Sequence, residues 1–217
     1  MIKRKLLASY RTFFALLVAV AIVAQFIDAA RRPSFRPLNF FSFFTIESNI
    51  LAAGVFAYGA AMQWRGKKLG PRFAQVRGAA VLYMVTTGIV YNALLSGLDD
   101  SLQTPLPWVN AVLHDLFPLA VLLDWFVDLP RRRIAFRKVL PWLIFPAAYA
   151  AYSLVRGPIA HWYPYPFLNP DTHGYARVAV ACVIIAVVIY GLALLIAAAT
   201  KFAPAAPHAA KSAKRRA

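Results

Sequence analysis

Residues 39–49 read N-F-F-S-F-F-T-I-E-S-N. The phenylalanines and the apolar run behind them make this a membrane-span sequence, yet Ser42, Thr45, Glu47, Ser48 and Asn49 put hydroxyls, an amide and a carboxyl into its first turns. Such groups are costly in lipid: an ionisable side chain costs roughly 2.5 to 3.5 kcal/mol at mid-depth and less near a helix end. On a helix, residues three and four apart share a face, so Ser42, Thr45 and Ser48 or Asn49 align in one stripe while Glu47 points roughly the opposite way. The stripe has to face protein or water. It is either a functional site or a set of polar contacts that hold helices together.

The rest of the chain supports the membrane reading. Of 217 residues, 61% are hydrophobic, 14% aromatic and 15% charged, with a mean hydropathy of +0.59, too apolar for an ordinary soluble domain. The net charge of +16 sits in short clusters between apolar runs, as in loops held on one side of a bilayer, and this argues against nucleic acid as a partner. The single cysteine, Cys182, lies within an apolar run, so no intrachain disulfide and no cysteine-based metal site is expected, and no cofactor is called for.

A hydrocarbon core takes about 20 helical residues. Six runs meet that need, near 9–28, 40–63, 79–97, 108–128, 136–155 and 176–199. The expectation is an all-α bundle of six transmembrane helices over residues 1–203, followed by a disordered basic tail over 204–217 rich in Ala, Pro and Lys. The first run is too long for the apolar core of a signal peptide and is read as a retained helix. Nineteen basic residues fall at the two termini and in the 64–78 and 129–138 loops, against five in the other three connections. That asymmetry places both termini in the cytoplasm. The 98–107 loop, with Asp99 and Asp100 and no basic residue, is then external, as is the 161–174 loop, H-W-Y-P-Y-P-F-L-N-P-D-T-H-G. Its Trp162, Tyr163 and Tyr165 read as headgroup anchors, and its prolines make a stiff cap able to close the mouth of a cavity.

Once oriented, the polar residues of four spans fall in one outer layer: Gln25 and Asp28; Thr45 with its stripe; Asn92 and Ser96; and Asn110 and His114, four apart on one face, with Asp115 adjacent. At 1.5 Å per residue Thr45 and His114 lie roughly 8 to 9 Å inside the outer ends of their spans. A hydroxyl and an imidazole at one depth can serve as nucleophile and base if they approach within about 2.6 to 3.2 Å. The alternative is a histidine that only bonds helices together. Glu47 and Asp115 are candidate acids to orient the imidazole, although neighbours on a helix point about 100° apart, which turns Asp115 towards another helix. Ser42, Asn49, Asn92 and Asn110 are candidate substrate-binding groups, the first three also as donors to an oxyanion. Lower down, Asp128 is expected to pair with Arg131, Arg132 and Arg133 or to snorkel, and Asp124 to be a structural acid between helices.

Three stretches, F-F-S-F-F-T-I-E-S-N, L-H-D-L-F-P-L-A-V-L-L-D-W and Y-P-Y-P-F-L-N, resemble a bacterial family of six-span predicted integral membrane proteins over nearly all of the chain apart from the tail. That family is distantly similar to the eukaryotic androgen-induced membrane proteins, which hydrolyse fatty-acid esters of hydroxy fatty acids with a threonine and a histidine. The resemblance implies a multi-pass protein of the bacterial inner membrane, with Thr45 as nucleophile, His114 as its partner, and membrane lipids or a lipid-like ester as the molecules met. The family often has glutamine at the position of Glu47 and aspartate at that of Asn169, which argues against an indispensable acid at either. The alternatives to a hydrolase are a small-molecule or proton-coupled transporter, against which the chain shows no internal repeat, and a non-catalytic structural protein.

Overall fold

The structure, a computed structural model, describes residues 2–97 and 106–203; the expected tail and Asp99 and Asp100 lie outside them. Every regular element among the described residues is helical: α1 (Ile2–Ala30), α2 (Pro37–Phe41), α3 (Phe44–Trp64), α4 (Pro71–Val90), α5 (Pro107–Ala111), α6 (Phe117–Val127), α7 (Ile144–Ala160) and α8 (Pro170–Ala199). Prolines open α2, α4, α5 and α8, where the missing N–H would have had no partner anyway. A π turn, Tyr91–Leu95, extends α4, and a second, Val112–Leu116, joins α5 to α6. The second has a cause in the sequence. Pro118 has no N–H for the carbonyl of His114 four residues back, and its ring crowds that carbonyl, so the turn widens.

Five helical stretches are long and apolar enough to cross a membrane: Ile2–Ala30, Pro71–Leu95, Pro107–Val127, Phe136–Ala160 and Pro170–Phe202. That is the make-up of an integral membrane protein, but it is five where six were expected. The helix left out is α3, long enough at 21 residues but diluted by Glu47, Ser48, Asn49 and Gln63. It lies against α1 on one side and α4 on the other, so its polar atoms meet protein. Central in the bundle, α4 touches α3, α6 and α8. On the periphery, α1 exposes Phe13, Leu16, Val20 and Val23, and α8 exposes Val180, Val183, Ile184 and Val187, apolar faces suited to lipid.

Two of the departures from the expected span boundaries bear on the polar layers described below. The run expected as one helix over 40–63 is broken after Phe41: Ser42 ends α2, and Phe43 is extended (φ −80°, ψ 129°) before α3 begins. The run expected at 79–97 starts at Pro71, which draws Arg77 out of its supposed loop and into a buried position, 4% exposed. Arg11, also counted as a flanking charge, is fully buried.

These two arginines account for the lower acids. Arg11 Nε lies 2.7 Å from Asp124 Oδ1 and its Nη2 2.9 Å from Asp128 Oδ2. Arg77 Nε stands 2.9 Å from Asp124 Oδ2, and its Nη2 donates to the carbonyls of Asp124 (2.9 Å) and Asp128 (2.6 Å). Asp124 does join helices, as expected of a structural acid. Asp128 pairs with Arg11 and Arg77 and not with the 131–133 cluster, because those buried guanidinium groups are already aimed at it.

Candidate active site

The break before α3 leaves Phe44 and Thr45 in the first turn, where amide N–H groups have no helical acceptor. Two tyrosines from distant segments supply one. The Phe44 N–H donates to Tyr149 Oη at 3.2 Å and the Thr45 N–H to Tyr165 Oη at 3.3 Å. Tyr149 in turn donates to the Ser42 carbonyl at 2.9 Å, closing the turn. Thr45 is thereby held at the positive end of the α3 dipole, where a developing negative charge is favoured.

His114 comes to it from the π turn. Its Nε2 lies 3.2 Å from Thr45 Oγ1, and its Nδ1 3.2 Å from the Asn110 carbonyl oxygen. A carbonyl only accepts, so Nδ1 carries the proton and Nε2 presents a lone pair to the threonine hydroxyl. The ring is stacked on Tyr91 (centroids 3.8 Å apart, 18° between planes), and the Asn110 amide donates to the Tyr91 hydroxyl. Both π turns thus meet at the imidazole. Gly88 permits the approach, since a Cβ there would stand 3.1 Å from the His114 carbonyl oxygen.

The other candidates have distinct places. Asn49 is fully buried and spends its amide on the carbonyls of Thr45 (2.8 Å) and Leu113 (3.2 Å), tying α3 to the π turn. Ser48 bonds Thr87 at 2.9 Å. Ser42 is engaged with the Leu38 carbonyl and with Tyr152 Oη at 2.8 Å. Asn92 and Asp115 hold each other at 2.9 Å on the exposed side, away from the pair. Glu47 is half-buried on another face of α3. The position a third triad member would take is filled by the Asn110 carbonyl. Among the described residues no group of three or more His, Cys, Asp or Glu could hold a metal.

Space adjoins the pair on two sides. A cavity of about 330 Å³ runs between α3, α4, α7 and α8, lined by Val90, Leu143, Ile185 and Ile189 and also by Thr45, Tyr91 and Tyr165. That volume lies in the range of small-molecule sites. A void of about 10 Å³ is lined by Gln25, Thr45, His114 and Tyr165 with Phe43, Ile46 and Leu95. Tyr165 was read from the sequence as an interfacial anchor, but it is 6% exposed. The only sequence signal for its inward turn is the proline on either side of it. Burial pushes its phenol pKa up, so the proton stays on.

No family model, curated protein or solved structure matches the chain.

Proposed function

We propose that this protein is a membrane-embedded hydrolase of lipid-like acyl esters, with Thr45 as nucleophile and His114 as general base. The observation that carries the reading is the 3.2 Å contact between Thr45 Oγ1 and His114 Nε2, with Nδ1 anchored so that Nε2 is the accepting nitrogen, beside an apolar cavity that can take an acyl chain. Nucleophile, base and orienting group are the parts such chemistry needs. Thr45 Oγ1 attacks the ester carbonyl and passes its proton to Nε2. The tetrahedral intermediate collapses, and the alcohol departs with that proton, leaving an acyl-threonine. A water activated by the same nitrogen then releases the acid. In the bilayer, α3 is the sixth crossing, its polar residues wrapped by α1 and α4, with both termini in the cytoplasm of a bacterial inner membrane. The site then lies in the outer half.

A lipid-like fluorophosphonate tests the chemistry. The purified protein is expected to be labelled covalently at Thr45, and Thr45→Ala and His114→Ala to lose labelling while folded; a labelled Thr45→Ala protein removes the nucleophile. Reporter fusions test the topology, and activity of a periplasm-dependent reporter at 65–70 would overturn it.

A further inference from the structure

Resting on the hydrolase reading, we infer that Tyr165 is the oxyanion donor of this site and that the small void beside it receives the substrate's carbonyl oxygen. The two spaces share three lining residues, Thr45, Tyr165 and Leu95. An acyl chain in the large cavity with its carbonyl carbon at Thr45 has Tyr165 and the void within reach of its carbonyl oxygen. At about 10 Å³ the void has room for roughly one oxygen-sized occupant and no more. Its polar walls are Gln25, Thr45, His114 and Tyr165; α1, α3, the π turn before α6 and the 161–169 connection converge here.

Among these, Tyr165 is built as a fixed donor. Its hydroxyl accepts the Thr45 N–H and also lies beside the Thr45 and Tyr149 side chains, and its phenolic proton can pass from these partners to a developing oxyanion, a stronger acceptor. The ring is clamped by stacking on Phe167 (5.2 Å, 10°) and by an edge contact with Phe43 (5.8 Å, 64°). A donor so held needs no reorganisation when charge develops. As Thr45 Oγ1 bonds to the carbonyl carbon, the π pair moves onto oxygen and the threonine proton goes to His114 Nε2. Tyr165 hydrogen-bonds to that oxygen and keeps its own proton. When the C=O re-forms, the bond to the leaving alcohol breaks and the alcohol takes the proton from Nε2. The same backbone N–H contact makes Tyr165 a positioning residue for its nucleophile, so a test must separate the two roles.

The test uses the full chain in detergent with 4-nitrophenyl decanoate and its thionoester, whose C=S is a poor hydrogen-bond acceptor. Tyr165→Phe is expected to lower kcat on the oxygen ester about 10²- to 10³-fold, with KM little changed and a much smaller loss on the thionoester. An equal loss on both substrates assigns Tyr165 to positioning alone and overturns the inference, as does unchanged kcat. Wild type gives a reading that needs no variant: its preference for ester over thionoester should exceed that of hydroxide ion in solution, and a preference no greater overturns the inference. Thr45-dependent turnover indifferent to Tyr165→Phe leaves the hydrolase reading standing and removes only the oxyanion site. Absence of Thr45-dependent turnover in wild type removes both.

Discussion

At the Asp124 end of the bundle, two arginines and two carboxylates surround one another. At the Thr45 end, neutral groups are joined by hydrogen bonds beside open space. Both layers are polar and both join α6 or its π turn to other helices, yet they suit opposite purposes. In the ionic layer each charge meets its complement, and removal of one partner strands another in the interior. In the neutral layer the threonine hydroxyl, the imidazole lone pair and the phenol can exchange partners at little cost, since a neutral hydrogen bond contributes only about 0.5–1.5 kcal/mol net. The ionic layer joins helices through charge; the neutral one joins them beside a cavity.

The sharpest way to break this contrast is at His114. His114→Gln keeps one hydrogen-bonding group, so the melting temperature should barely move, while ester hydrolysis falls about 10²- to 10⁴-fold. A stable, fully active variant would end the mechanism. Asp124→Ala should do the reverse, costing about 3–5 kcal/mol of stability with turnover per folded molecule retained; thermal unfolding and an active-site titration measure the two, and an unchanged melting point would show that the ion cluster holds nothing. Gly88→Ala, whose Cβ would press on the His114 carbonyl at 3.1 Å, should cost about 1–3 kcal/mol and lower the rate along with it, since the strain falls on the π turn itself.

Smallest of all is the response to alkali. Activity should climb with pH until the base is neutral, since only the neutral imidazole accepts a proton, and then hold level. With the Tyr165 pKa raised by burial, its proton is held more tightly in the folded chain than in the unfolded one. Its contribution to stability is therefore whole below the ordinary tyrosine value of about 10 and is lost only as pH rises through the folded one. A pH–rate profile that fell between 8 and 10 would contradict Tyr165 as donor.

Much of this was legible beforehand, and the misses have a common cause. Hydropathy shows where helices run, and depth along them brings Thr45 and His114 to one level, because rise per residue is nearly constant. What periodicity cannot show is an interruption. Ser42 and Thr45 look like one stripe, yet the chain turns between them. Asp115 is no miss: its turn of about 100° from His114 points it to another helix, and there it takes Asn92. Arg11 and Arg77 sit near span ends and count as loop charges until packing draws them inward to Asp124, while Tyr165 resembles any interfacial aromatic until its hydroxyl is found on Thr45. The one interruption with a sequence cause was Pro118, four residues beyond His114.

That proline sets a helical phase. A π turn spends one residue more than the α turn it replaces, so restoring the missing N–H with Pro118→Ala permits the 112–116 segment to rewind as an α helix and rotates everything before it by about 100° relative to α6. The imidazole would leave Thr45 without any change in either reacting residue or in charge. One backbone amide, absent by the choice of proline, decides which way the imidazole faces.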